Sequence, residues 1–438
     1  MNPRQLTLVL LDEYELLGKY VNLSLSSHRL DGLSREERGL VTALLYTTVE
    51  HKLTYDYYIS AVAKRPVGEI DIHTLNILRL GCAQILGMDR IADHTAVNET
   101  VKLGANKGER GFINGVLRAI LRHRDSNSLP MPERKRNPAR HLSVKYSFPI
   151  GLVRHFITLY GEADTEKLLN SYNTEKYTDV TVNTLRVDRE SLLLRFAAAG
   201  ISATPSPLSK YSIRLDGSYS PNTLDGFKNG DFFIQDASCA VSAEVLSPTS
   251  GEQILDLCAC PGGKSFATAI ISGDRAGILS CDLHESKLPL ITDGATRLGL
   301  GSVTAIQNDA TVPRVEFFDK FDRIICDVPC SGLGVLGKKA DLRYNAEGTM
   351  DRLPDLQYEI LSVGAKYLRV GGTLVYSTCT LNPAENENNV TRFLTENPNF
   401  AAVDYTVGPL SSQNGMLTLV PHIHHTDGFF IAKITRLS

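Results

Sequence analysis

No apolar run in this sequence approaches the roughly 18 residues a membrane-spanning helix needs, which excludes a helical membrane protein. The opening stretch, MNPRQLTLVLLDEYELL, is interrupted by acids after Leu11. It reads as an amphipathic helix rather than a signal peptide. Charge of one sign is also lacking: the net charge is −3, so only a local cluster can serve a polyanion. No CxxC pair occurs among the eight cysteines, and their spacing does not suit zinc, so no metal is expected. Without a secretory signal, the cysteines read as reduced thiols of a cytoplasmic protein.

What is present points to several domains, since 438 residues exceed one ordinary core. Residues 1–126 read as all helical, with helical periodicity in Leu40–Leu53, Leu75–Leu86 and Phe112–Leu121. Asp71 and Asp93 are expected N-caps. His51, His73 and His94 are expected at the surface or at caps. Residues 127–141, with three prolines and Arg134-Lys135-Arg136, read as a basic linker. From Arg118 to Lys145 eight Lys/Arg face two acids, enough local charge to hold phosphates. Residues 142–249 read as a small α+β unit. Its expected helices are Leu152–Tyr160, Glu162–Tyr172, Ser191–Ala199 and Ala237–Leu246, and its strands Val180–Leu185, Tyr211–Leu215 and Asp231–Ile234.

From 250 to 438 strands and helices alternate, which predicts a largely parallel sheet with a ligand at the strand C-terminal ends. The strands are Ile254–Cys258, Gly277–Leu283, Val303–Gln307, Phe321–Asp327 and Gly372–Ser377, with a helix over Asp355–Arg369. Phe400–Asp404 and Phe429–Thr435 have no clear helix between them and are expected to pair antiparallel. A mixed sheet of this plan is the class I, Rossmann-like methyltransferase fold.

The first strand runs into CACPGGKS, a strand–turn–helix unit whose glycines would admit a ligand to the backbone. Three acids end successive strand regions: Asp282, Asp309 and Asp327. Asp282 suits ribose hydroxyls. The turn is not GxGxxG, which favours S-adenosylmethionine over a dinucleotide. Two cysteines follow neighbouring strand ends, Cys330 in DVPCSG and Cys379 in STCT, and both are expected at one crevice. Cys82 and Cys239 read as core fillers. Carbon 5 of cytosine is too weak a nucleophile to be methylated directly. A thiolate adding to carbon 6 activates it, and a carboxyl group at the ring N3 edge, here Asp327, would stabilise the adduct.

CACPGGKS, CDLHESKL, NDA, DVPCSGLGVL, YSTCTLNPAENE and DGFFIAKITR together resemble the RNA cytosine-5 methyltransferases. RLGCAQILGM, HTAVNETVKLG and GFINGVLRAILR resemble the NusB-like domain fused to the bacterial RsmB/Sun branch, which acts on 16S ribosomal RNA. The resemblance implies Cys379 as nucleophile and Cys330 as the group assisting product release. It implies cofactor binding by Cys258, Ala259, Cys260, Pro261, Gly262, Gly263, Lys264, Asp282, Asp309 and Asp327. Cys260 and Val328 depart from the residues usual there, alanine and alanine or proline, both beside backbone contacts. The expected partner is 16S ribosomal RNA, naked or in an early particle, and the expected state is a monomer. The same chemistry on transfer RNA, a non-catalytic RNA-binding scaffold and a dinucleotide oxidoreductase are the rival readings. His422, His424 and His425 are expected in a solvated loop.

Overall fold

The computed structural model describes residues 1–19, 21, 25, 28–175, 177–345, 348 and 350–438. The chain forms two compact units, Met1–Asn173 with Lys338–Asn345, and Thr174–Gly337 with the residues from 346 to Ser438.

The described elements of the first unit are helical. Pro3–Leu17 opens with a capping box, Asn2 accepting from the backbone N–H of Gln5 whose side chain returns the bond. The expected helix Leu40–Leu53 is two helices, Arg35–Glu50 and Lys52–Ala63, because His51 leaves the helical region (φ −106°, ψ 17°). Asp71 caps Ile72–Gly87 through His73 and Thr74 N–H. Asp93 is not a cap: it is the first residue of Asp93–Val101, and its carboxylate is held by Arg124. Lys107–Asp125 buries Ile113, Val116, Leu117 and Ile120, the expected apolar stripe. The linker expected over 127–141 ends earlier. Asn137 caps a helix that begins at Pro138, where a missing N–H costs nothing, and runs to Tyr146. That helix and Ile150–Thr174, broken at Gly161 (φ 76°), lie with the first unit down to Asn173, not with the sheets that follow.

Lys338–Asn345 completes this unit. Arg343 is fully buried there, stacked over Phe148 with 4.0 Å to the ring centroid. It donates to the carbonyl of Glu50, and Tyr344 donates to that of Val49.

The second unit carries two sheets. β1 (Tyr177–Val182), β2 (Ala203–Pro205), β3 (Ser212–Asp216) and β4 (Phe232–Ile234) form an antiparallel sheet of order β2-β3-β1-β4. β1 starts earlier than expected and stops at Val182 because Asn183 turns the chain, its side chain bonding the carbonyls of Gly230 and Leu298.

The eight-stranded sheet contains β5 (Gln253–Asp256), β6 (Gly277–Asp282), β7 (Val303–Gln307), β8 (Phe321–Asp327), β9 (Leu368–Thr378), β10 (Phe400–Ala402), then, beyond the small hairpin of β11 (Thr406–Val407) and β12 (Leu410–Ser411), β13 (Met416–Leu419) and β14 (Phe429–Arg436). Its order is β10-β14-β9-β8-β5-β6-β7, with β13 also on β14. β5 to β9 are parallel; β14 runs antiparallel to β9 and to β10, the mixed end expected from the sequence. The helix preceding β9 spans Leu353–Ala365, shorter than expected, because β9 already begins at Leu368. Side chains alternate between layers: Ile254, Ile278, Ile325 and Val375 pack on one face, Leu255, Cys281, Ile324 and Leu374 on the other. The order reverses at β5, with β6 on one side and β8 on the other, so a crevice opens at the C-terminal ends of β5 and β8.

Candidate active site

The crevice is built from strand ends. β5 delivers Asp256, 1% exposed, whose carboxyl burial pushes up to about 7. Ser265 donates to it at 2.6 Å and lies 2.7 Å from Ser280 Oγ on β6. The turn follows, with Gly262 at φ 109°. A Cβ there would fall 2.4 Å from the Phe266 ring, and one at Gly263 would fall 2.9 Å from Gln235. The glycines therefore admit the protein's own side chains, where the sequence suggested close approach by a ligand.

β8 ends at Asp327, which accepts from Lys264 Nζ at 2.6 Å and from Ser377 Oγ on β9 at 2.7 Å. Lys264 is nearly buried. Burial opposes its charge, but the neighbouring Asp327 and Cys239 outweigh that and raise it. Cys239 is no simple filler: its sulfur is 3.7 Å from Lys264 Nζ, and burial pushes the thiol up to about 12.

Just past β8 and β9, Cys330 and Cys379 meet with their sulfurs 3.0 Å apart. The bond with Cys379, then burial, pushes the Cys330 thiol well above its ordinary value. A cavity of about 380 Å³ adjoins the pair. Cys258, Cys260, Asp282, Asp309, Asp327, Cys330 and Cys379 all line it, whereas Ala259, Pro261, Gly262, Gly263 and Lys264 do not. Asp282 accepts from the His284 N–H, and Asp309 from the N–H and hydroxyl of Thr311, which hold Asp309 below the usual carboxylate range. A larger, more open depression of about 500 Å³ beside Phe400 and Arg436 holds none of these residues.

Sequence reasoning missed four residues here. Asp256 closes β5 as Asp282 closes β6, so the same strand-end signal marks it. Asn308 lines the cavity with its buried Nδ2 lacking a partner among the described residues. Ser377 and Glu385 bond residues far away in sequence, and no local pattern reports that. Other expectations changed too. His424 and His422 lie on a short helix, Pro421–His424, and His425 bonds Glu175. Among the described residues no group of three His, Cys, Asp or Glu is placed to hold a metal ion. Nor is any helix there long and apolar enough to cross a membrane.

Residues 243–435 match the family "16S rRNA methyltransferase RsmB/F", residues 1–122 the NusB family, and residues 148–221 the RsmF/B-like ferredoxin-like domain. The "Probable ribosomal RNA small subunit methyltransferase B" of Bacillus subtilis (strain 168) is 34% identical over 449 residues, covering 99% of this chain and 98% of its own. A protein of the same name from Synechocystis sp. (strain ATCC 27184 / PCC 6803 / Kazusa) is 34% identical over 448 residues, with full coverage of both. The fold is shared with NSun6 from Pyrococcus horikoshii, solved with SFG. That match has a TM-score of 0.60 and 22% identity and covers 67% of this chain and 99% of that one.

Proposed function

The chain belongs to the RsmB/F family of 16S rRNA methyltransferases, and from that premise we propose that it methylates carbon 5 of a cytosine in 16S ribosomal RNA through a covalent adduct with Cys379. The observation that carries this reading is the pair of thiols 3.0 Å apart on a cavity that also presents Asp327. Methylating an exocyclic amine needs no such pair.

The donor is S-adenosylmethionine, which supplies an electrophilic methyl group. The residues fit it. Asn308 offers an unfilled buried donor in the cavity, and Asp282 and Asp309 offer carboxylates for hydroxyl and amino groups. Cys258 and Cys260 line the same space. Lys264 acts through Asp327 rather than on the ligand.

Cys379 adds as thiolate to carbon 6, moving the ring electrons to carbon 5, which takes the methyl. Asp327 stands at the N3 and amino edge, where its carboxylate accepts from the amino group and holds the ring in place. Cys330 keeps its proton because the neighbouring sulfur and burial disfavour its thiolate. On release it gives that proton to the departing sulfur of Cys379 and takes the one leaving carbon 5. The carbon 5–carbon 6 double bond re-forms, and the proton now on Cys379 leaves to solvent when its thiolate is regenerated for the next turnover.

The base must leave its stack to enter the cavity. Within the basic stretch Arg124, Arg134 and Lys145 are engaged with acids. Arg118, Arg122, Lys135, Arg136 and Arg140 stay exposed and are the candidates for phosphate contact. We place the reaction in the cytoplasm, on naked or early-assembly RNA, with the protein a monomer.

Bisulfite sequencing of ribosomal RNA from cells with and without the gene tests this. One 16S cytosine should lose its mark, and Cys379→Ala should not restore it although that protein still binds S-adenosylmethionine. A mark lost from transfer RNA alone, or full complementation by Cys379→Ala, would overturn it.

A further inference from the structure

Neither cysteine is held in place by its own side chain alone. The residues on either side of each are tied instead, and the ties converge on Glu385. Its carboxylate is fully buried and accepts from four uncharged donors. Oε1 accepts from Ser331 Oγ at 2.5 Å and from Asn382 Nδ2 at 3.0 Å; Oε2 accepts from Ser331 N–H at 2.9 Å and from Gln357 Nε2 at 2.8 Å.

Ser331 follows Cys330, and Gln357 also donates to the carbonyl of Pro329, which precedes it. Both flanks of Cys330 are thereby bound to one carboxylate, directly or through one amide. On the other side, Asn382 lies three residues past Cys379, and Thr380 Oγ1 is 2.7 Å from Ser331 Oγ. The next residue, Asn386, accepts from Thr378 Oγ1 at 2.5 Å and donates to the Thr380 carbonyl at 3.0 Å, so it fixes both flanks of Cys379.

We propose that Glu385 is the positioning residue that holds the Cys330 loop against the Cys379 loop, and so sets the contact between the two sulfurs used in product release. This rests on the cytosine-5 reading above. Only an ionised carboxylate accepts at four places and donates at none. An amide of the same shape must turn an NH₂ group toward at least one existing donor, which pushes that donor away. The negative charge of Glu385 also acts on Cys330 directly, disfavouring its thiolate alongside Asp327.

The test compares wild type, Glu385→Gln and Cys330→Ala as full-length proteins with a 16S RNA transcript. It measures kcat, S-adenosylmethionine affinity by calorimetry, and protein–RNA adduct on a denaturing gel. Glu385→Gln should lower kcat by about 100-fold, the scale of a 1 Å misplacement. Cofactor affinity should hold, and a shifted protein–RNA band should accumulate as it does for Cys330→Ala. A merely structural role predicts loss of cofactor binding and melting temperature with no such band, and that result overturns the proposal, as does wild-type turnover. A band with Cys330→Ala but not with Glu385→Gln refutes the role of Glu385 alone. No band with either refutes the cytosine-5 reading and this inference together. If Glu385→Gln does not fold, Ser331→Ala takes its place: it removes one donor and should give a weaker band of the same kind, and its absence refutes the proposal.

Discussion

The ion pair of Lys264 and Asp327 ties the helix after the glycine turn to the end of β8, and its strength can be worked out. The charges are 2.6 Å apart, with side-chain exposures of 11% and 28%. With an effective dielectric of about 20 their attraction at 2.6 Å is about 6 kcal/mol. Removing both groups from water offsets roughly half of that, leaving a coupling of about 3 kcal/mol. Lys264→Met keeps the length and apolar stem but leaves Asp327, among the described residues, only the Ser377 hydroxyl, and should cost about 3–5 kcal/mol. Asp327→Asn strands the ammonium and should cost a similar amount. The double variant should lose about 3 kcal/mol less than the two single losses summed. With two compact units a global unfolding curve would mix transitions. The assay is therefore native-state hydrogen exchange of amides in β8 and β9, read for all four proteins. A coupling below about 0.5 kcal/mol would show that the pair is screened like a surface bridge, and the reasoning would be wrong.

Three further results are expected. Burial raises Asp256 to about 7, so the folded state binds its proton more tightly than the unfolded chain, where the value is about 3.9. Stability from this group is complete below about pH 4 and is lost as pH rises through about 7; Asp256→Asn should flatten that slope between about pH 4 and 7, and an unchanged slope in the native-state hydrogen-exchange stability of β5 and β6 amides would contradict it. Gly262→Ala must place a Cβ 2.4 Å from Phe266 at φ 109°, and should destabilise the second unit by about 1–3 kcal/mol; hydrogen-exchange protection of β5 and β6 amides equal to wild type would refute the packing account. Charge reversal at Lys135, Arg136 and Arg140 should weaken RNA binding and flatten its salt dependence, measured by filter binding across a salt series, without changing S-adenosylmethionine affinity; an unaltered salt slope would remove these residues from the contact.

The doubly wound sheet was legible because its signals are local and repeated. Ile278-Leu279 and Ile324-Ile325 lie in strands that end in an acid, and that ending marked Asp282 and Asp327, which the structure brings to the cavity. Periodicity also recovered the buried stripe of Lys107–Asp125. What stayed hidden depends on partners distant in the chain. Asp93 has the composition of an N-cap, but Arg124 holds its carboxylate instead. His51 breaks a helix whose apolar spacing continues on both sides of it. Gly262 looks like a ligand cradle until Phe266 is seen in the space. Glu385 sits in an ordinary acidic stretch, PAENE, and nothing nearby shows that it receives Ser331 and Gln357.

The place of Lys338–Asn345 in the helical unit has a consequence for biosynthesis. The first 173 residues leave the ribosome long before Arg343 and Tyr344, so Phe148 and the carbonyls of Glu50 and Val49 must wait for mates encoded late in the message. Severing the chain after Asn173 yields no intact half: one fragment lacks its plug, and the other carries a buried-type arginine with nowhere to bury it.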